Sequence, residues 1–338
     1  MTRKRTTIKD VSVLAGVSVS TVSRVLNSSG PISEDTRKLV ESAATQLKYQ
    51  PNPLARGLVN QQLGGIGVMV PWIAGPYFGV FLEGIQRVLR ETDYRLVVAS
   101  GQGNRDNEQE TLAYLLNNDA DGVIYYGERL SAADLEQINP HMKPVVVMGQ
   151  DPAELPNNIG IDDELGAYLA TRYLIDHGHS EIAHISGDPH THVTRSKLAG
   201  YQRALSQAGL PYRSGLVVSS NYTEPGGYQA ALKLLAGPAF TAIFCGNDQM
   251  AMGSYQALRD FNKRIPEDVS MVGFDDILFS RYMHPALTTV RVPIYEMGMA
   301  AASTVLRLLD RTHQEVRSVL EPQLIVRHSV LNLKPTPP

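Results

Sequence analysis

From Ile66 onward the chain repeats one texture, in which short apolar runs alternate with amphipathic or loop segments. The runs are IGVMVP, RLVVAS, DGVIYY and PVVVMG, and the pattern then restarts with IAHIS, GLVVSS, AIFC and VSMVGF. Runs of four to six apolar residues that alternate with helical stretches predict parallel strands buried on both faces. Two successive sets predict two doubly wound parallel-sheet subdomains. In open sheets of this kind ligands bind beyond the carboxyl ends of the strands.

The first fifty residues follow a different period. In AGVSVSTVSRVLN, a helix starting after Ser18 places Val22, Val25 and Leu26 on one stripe and turns Ser20, Ser23, Arg24 and Asn27 away from it. Upstream, Thr7 is a cap for a helix with Asp10 in its first turn and Val11, Leu14 and Ala15 inward. Gly16 supplies the turn, and Ser18 caps the second helix. Two short helices joined through a glycine form the helix-turn-helix pattern, whose second helix lies in the DNA major groove. Small hydroxyl side chains let such a helix approach phosphates, while a long arginine forks onto a guanine edge. A third helix is predicted from Ser33, with Leu39, Val40, Ala43, Ala44 and Leu47 inward.

Charge sharpens this reading. Residues 1–60 carry nine Lys and Arg against four Asp and Glu, a net of +5, whereas the rest of the chain carries 22 against 30, a net of −8. A basic head on an acidic body suits nucleic-acid binding by the head, because phosphate neutralisation supplies much of that affinity. At 338 residues and 43% hydrophobic content, two or more domains with sizeable cores are expected. No run of eighteen apolar residues is present and the N-terminus is polar, so no membrane partner and a cytoplasmic location are expected. The single Cys245 excludes an internal disulfide and a cysteine zinc cluster. His177 with His179, and His190 with His192, lack third and fourth ligands at metal-site spacing, so no metal is expected. No Gly-x-Ser-x-Gly elbow, P-loop or complete dinucleotide fingerprint occurs, and neither an enzyme nor a bound cofactor is expected. The competing class is a sugar-handling α/β enzyme with an appended DNA-binding head.

The stretches TIKDVSVLAGVSVSTVSRVLN and ISEDTRKLVESAATQLKYQPNPLARGL resemble the DNA-binding head of the lactose and galactose repressor family of bacterial transcription regulators, and the resemblance continues to Val330. It implies a small all-α helix-turn-helix head over residues 1–50, a hinge helix or linker over 51–63, and a periplasmic-binding-protein-like α/β body over 64–338 for effector binding and dimerisation. The body's first subdomain is expected near 64–160 and 293–320, its second near 162–290 and 322–332. The function implied is a repressor of sugar-utilisation genes, released from a palindromic operator in double-stranded DNA by a small saccharide. A nucleobase-responsive, corepressed regulator of the same fold is the alternative. The chain as given ends in LNLKPTPP, without the heptads of a tetramerising coiled coil, so a homodimer is expected.

The same resemblance assigns residues. Arg24 is expected at a guanine, with Val19 and Ser20 on neighbouring bases. Thr21, Ser23, Ser33 and Thr36 are expected on phosphates, with Thr7, Asn27, Asn52 and Ala55 also at the DNA. Leu58, in a hinge too short to persist alone, is the expected minor-groove wedge. In the body, Asn247 and Asp275 match effector-binding positions. Lys197 stands where the family has an arginine, and Arg195 is the alternative cation. GPYF, which contains Tyr77 and Phe78, replaces the family's NPFF and is preceded by the only tryptophan, Trp72. Gly149 stands where the lactose repressor has a carboxylate, with Gln150 next, and Tyr222 falls at an aromatic wall. The effector class expected is a mono- or disaccharide or a glycoside, and fewer polar contacts with more ring surface point to a glycoside with an apolar aglycone or to a second sugar ring.

Overall fold

The structure, a computed structural model, describes residues 6–26, 30–49, 63–151, 155–311 and 317–334. Asn27, Asn52, Ala55, Leu58 and all of the 51–63 hinge except Leu63 lie outside the described residues. The chain divides into two compact units between Gly64 and Gly65.

The head contains helices α1 (Ile8–Ala15), α2 (Val19–Leu26) and α3 (Glu34–Gln46). The Asp10 carboxylate accepts the Thr7 backbone N–H and hydroxyl, both at 2.8 Å, which fixes the start of α1. Gly16 ends α1 at φ +69°, where a β-carbon would be strained. Ser18 Oγ accepts from the Thr21 N–H at 3.1 Å and opens α2, and Ser33 caps α3. Val11, Ala15, Val22, Val25, Val40, Ala43 and Ala44 make the core. Two expected core residues are instead exposed, Leu14 at 45% and Leu39 at 56%. Each lies one residue before a core position, about 100° around its helix, and so falls off the stripe that faces its neighbours.

In the body, β1 (Gly65–Val70), β2 (Arg95–Ser100), β3 (Gly122–Tyr126), β4 (Val145–Met148), β5 (Asn158–Ile161) and β11 (Arg317–Leu320) form one sheet in the order β11-β5-β4-β3-β1-β2, all parallel. A second sheet takes β6 (Ile182–Ser186), β7 (Val217–Ser219), β8 (Ala242–Cys245), β9 (Ser270–Asp275), β10 (Thr288–Arg291) and β12 (Gln323–Ile325), in the order β12-β10-β9-β8-β6-β7. Only β12 runs antiparallel there. The chain passes between the sheets after Ile161, again between Arg291 and Arg317, and last between Leu320 and Gln323. Helices cover both faces, so β1 and β9 are buried along their whole length.

In the first subdomain α4 (Pro76–Leu89) packs on α11 (Ile294–Leu309), through two glycines. A β-carbon added at Gly84 would come within 2.2 Å of Tyr295 O, and one at Gly298 within 2.2 Å of Phe81 O. Backbone-to-backbone approach of this kind joins a segment that has returned from the second sheet to the first subdomain's own helix. Cys245 lies in the core, and burial pushes its thiol up to about 12.

Candidate effector cleft and DNA-reading face

On the head, α2 buries Val22 and Val25 and leaves Ser20 and Arg24 exposed, with Val19 39% exposed. Ser18, Ser20 and Thr21 hydroxyls interlock at 2.8 Å, and the Ser33 and Thr36 hydroxyls do the same at the start of α3. Hydroxyls at two helix starts, where backbone N–H groups also point outward, present donors to an anion.

On the body, the carboxyl ends of β3 and β4 face those of β6, β8 and β9. The first subdomain contributes an aromatic wall. Tyr77 and Tyr126 share a 2.7 Å hydrogen bond between their hydroxyls, and the Tyr126 ring meets Phe78 and Phe81 edge-on at 5.2 and 5.3 Å. Burial, then the neighbouring Tyr126, Asp275 and Asp163, hold the Tyr77 phenol well above its ordinary range. Asp275 and Asp163 belong to the opposite subdomain, so Tyr77 faces them across the cleft.

The second wall is built around Lys197, on helix α8 (His192–Gln207), which is only 5% exposed. Its ammonium donates to Gly246 O at 3.0 Å, lies 3.5 Å from Asp163 Oδ1 and sits 3.8 Å over the Phe274 ring. Asp163 opens helix α7 (Asp163–Asp176), immediately after the first passage between sheets. Burial raises its carboxyl, and Lys197 opposes that rise. Asp275 ends β9 at φ +112° and is 7% exposed. Among the described residues its side chain has no hydrogen-bond partner. Its carboxyl is held well above the usual range by burial, with Asp248 and Asp163 adding to the rise and Lys197 opposing it. The next residue, Asp276, is clamped by Arg291 at 2.8 Å and Arg327 at 2.5 Å.

Tyr222 completes the wall. Its hydroxyl pairs with Thr194 Oγ1 at 2.8 Å, and its ring lies so close over Gly187 that a β-carbon there would be 2.1 Å away. Asn247 is 6% exposed and is the N-cap of helix α10 (Asp248–Asp260). Its Oδ1 accepts the Met250 N–H at 2.9 Å, and its amide donates to Tyr222 O at 3.0 Å. Asn247 therefore holds the aromatic wall in place while retaining one amide hydrogen.

The structure brings Tyr77, Phe78, Lys197, Tyr222, Asn247 and Asp275 together. Three other candidates are engaged elsewhere. Arg195 is exposed and donates to His190 O at 2.8 Å. Two residues along a helix is about 200°, so when Lys197 points inward Arg195 must point out. Gln150 donates both amide hydrogens, to Gly127 O at 3.1 Å and Leu130 O at 2.9 Å, and so braces a loop. Trp72 is 47% exposed and packs against Gly103 of its own subdomain.

Residues that the sequence did not single out also converge here: Tyr126 at the end of β3, Glu128 and Arg129 just after it, Asp163, Asp188 after β6, and Phe274. Arg129 Nη2 meets Asp188 Oδ2 at 2.5 Å, an ion pair that joins the two subdomains. Residues 126–129 lie at a strand's carboxyl end, where ligands bind in open sheets, but nothing local marks their partners. Among the described residues no cluster could hold a metal ion, and no helix is long and apolar enough to cross a membrane.

Residues 7–52 match the family described as bacterial regulatory proteins, lacI family, and residues 171–330 match the periplasmic binding protein-like domain. The chain is 38% identical to the HTH-type transcriptional regulator GalR of Escherichia coli K12, over 96% of this chain and 95% of that one. It is 35% identical to the ribose operon repressor of Haemophilus influenzae, over 97% and 99%. Among solved structures, the Lac repressor dimer bound to operator and the anti-inducer ONPF superposes with a TM-score of 0.88 at 27% identity, covering 97% of this chain and all of that one. A CelR–cellobiose complex gives 0.72 at 31% identity, covering 96% and 100%. With a helix-turn-helix head, a body of two parallel sheets and relatives that match end to end, the chain belongs to the lacI family of bacterial regulatory proteins and is a DNA-binding transcriptional regulator.

Proposed function

We propose that this regulator represses sugar-utilisation genes in the cytoplasm, binding a palindromic operator as a homodimer and releasing it when a small saccharide enters the cleft. One observation carries the reading: hydrogen-bonding groups on opposite subdomains face each other between aromatic walls, with Asp275 buried and, among the described residues, without a hydrogen-bond partner on one side, and the Tyr77–Tyr126 hydroxyl pair on the other. Sugar hydroxyls supply donors for such a carboxylate, and sugar ring faces suit the tyrosines. Relatives support it, since one is a ribose operon repressor and a solved neighbour is a complex with cellobiose.

Binding at both walls at once favours one rotation of the subdomains over another, which is the differential affinity an allosteric ligand needs. Arg24, Val19 and Ser20 would read bases, and Thr21, Ser23, Ser33 and Thr36 would hold phosphates. Exposed Ile73 and Val80 on the first subdomain, with Leu278, Phe279 and Tyr282 on the second, fit coverage by a second copy. The protein acts as a sensor and leaves its ligand chemically unchanged.

The test is an operator titration by fluorescence anisotropy with and without D-galactose, D-ribose or cellobiose. A coupling of about 1 to 3 kcal/mol weakens operator binding by roughly 5- to 150-fold. Operator affinity indifferent to every sugar that binds the protein would remove the inducer role.

A further inference from the structure

We propose that Glu128 is an effector-contacting carboxylate of the cleft, seated beside Gly149 where the neighbouring strand ends without a side chain, and that it sets specificity for a ligand hydroxyl on the first subdomain's side. The proposal rests on the reading of the cleft as a saccharide site.

The ends of β3 and β4 lie side by side, and the chain turns at Gly149 with φ +80°. A β-carbon built on Gly149 would lie 3.2 Å from the Tyr126 ring and 3.5 Å from Glu128 Cγ. The side chains of Tyr126, at the end of β3, and Glu128, just after it, therefore border the position after β4 that carries none. An acid just past the end of one strand lies in contact with the position at the end of its neighbour that carries no side chain.

The surroundings of Glu128 are those of the cleft. Thr191, Asp163, Lys197 and Tyr222 of the second subdomain face it, with Arg129 and Tyr126 from its own. Burial pushes its carboxyl up to about 7, and the Thr191 hydroxyl, Lys197 and Arg129 only partly counter that rise. Both nearby cations are engaged with other groups. Arg129 is paired with Asp188, and Lys197 donates to Gly246 O beside Asp163. A carboxylate has about four acceptor sites, and the Thr191 hydroxyl beside Glu128 also bonds Asp188 O at 3.0 Å and Thr194 Oγ1 at 2.9 Å, which leaves the carboxylate acceptor capacity for a ligand. A ligand hydroxyl donating to Glu128 makes a charge-assisted bond in a partly buried setting, which is the strong kind.

Position gives the contact its consequence. Lys197 and Asp275 belong to the second subdomain and Glu128 to the first, so a ligand touching all three spans the cleft. Its affinity then depends on how the subdomains are rotated.

The experiment uses the full chain. D-galactose, D-ribose, cellobiose and their monodeoxy analogues are titrated by calorimetry into the parent, Glu128→Gln and Asp275→Asn, with thermal unfolding confirming that each variant is folded. Glu128→Gln keeps the shape and removes the charge. At least a tenfold loss of affinity is expected for the sugar that binds the parent. One deoxy analogue should be weakened in the parent but not further weakened by Glu128→Gln, because the missing hydroxyl and the missing charge report the same bond. If Glu128→Gln binds like the parent while Asp275→Asn fails, Glu128 is a structural acid and the cleft reading stands. If no sugar binds the parent, or Asp275→Asn also binds normally, the cleft reading falls and this proposal with it.

Discussion

Replacing Lys197 by Met tests whether the buried ammonium holds the second wall together. Methionine matches the length of the aliphatic stem and fills the space against Phe274, so little of the effect comes from a cavity. What changes is charge: Asp163, 8% exposed, loses its cation, and the Gly246 carbonyl loses its donor. Removing one partner of a buried pair costs about 3 to 5 kcal/mol, because the other charge stays buried and uncompensated. At about 2 to 4 °C per kcal/mol for a body of this size, the unfolding midpoint should fall by roughly 6 to 20 °C near neutral pH. The pH dependence has a definite sign. Asp163 is an acid whose pKa is raised on folding, and Lys197 is the main influence opposing that rise, so the substitution raises it further. Stability tied to its protonation is complete below the ordinary carboxylate value of 3.8 and is lost as pH climbs through the raised native value. Lys197→Met should therefore cost less at pH 5 than at pH 7.5, as read by scanning calorimetry at both. Adding Asp163→Asn should recover much of the loss. A midpoint shift below about 2 °C at pH 7.5, or a loss that grows as pH falls, would refute the reasoning.

Arg24→Ala should weaken operator binding by about 1 to 3 kcal/mol and relax specificity at one base pair per half-site, with little effect on random DNA. Equal losses on both sequences in the same anisotropy assay would remove the base-reading role. Gly298→Leu should cost at least about 1 to 3 kcal/mol by forcing the helices at 76–89 and 294–309 apart, and an unchanged unfolding midpoint would show that they do not meet there. Asp275→Asn should abolish the sugar response while operator binding without sugar stays near that of the parent. A variant induced as strongly as the parent would leave Asp275 a mere strand end.

The fold was legible because its signals are local. Apolar runs such as GIGVMV can only be strands covered on both sides, and Thr7, Gly16 and Ser33 each announce a helix boundary within four residues. Leu14 and Leu39 misled because binary pattern treats every leucine near a stripe as inward, whereas a 100° step takes it off the contact. The cleft was legible in part. Strand ends pointed to Asn247 and Asp275, but the reading of Arg195 as the alternative cation depended on which face of a helix meets the sheet, which spacing alone does not say. Arg129 and Asp188 are 59 residues apart, and Glu128 lies against Gly149 of the neighbouring strand end. Pairings of that kind exist only once two sheets have been brought together.

The end of β9 shows how the site's chemistry is maintained against cost. Asp275 and Asp276 sit at φ +112° and +57°, conformations that cost a non-glycine residue about 1 to 3 kcal/mol each and persist only where their surroundings hold them. Here the restraint is visible. Asp276, its side chain 2% exposed, is gripped by Arg291, at the second passage between the sheets, and by Arg327, just after the third. Asp248 adds a second fastening, accepting from the Ile277 N–H at 3.0 Å, Ser280 Oγ at 2.5 Å and Thr289 Oγ1 at 2.6 Å. These bonds fix the backbone that follows Asp275, and the β9 ladder fixes the strand before it, without using its carboxylate. An acid in this turn is therefore presented to the cleft by a rigid frame, at a height that its own side-chain rotamer does not have to set. The same frame includes residues from the segments that connect the subdomains, so the position of the Asp275 carboxylate and the path of those connections are fixed by one set of ion pairs.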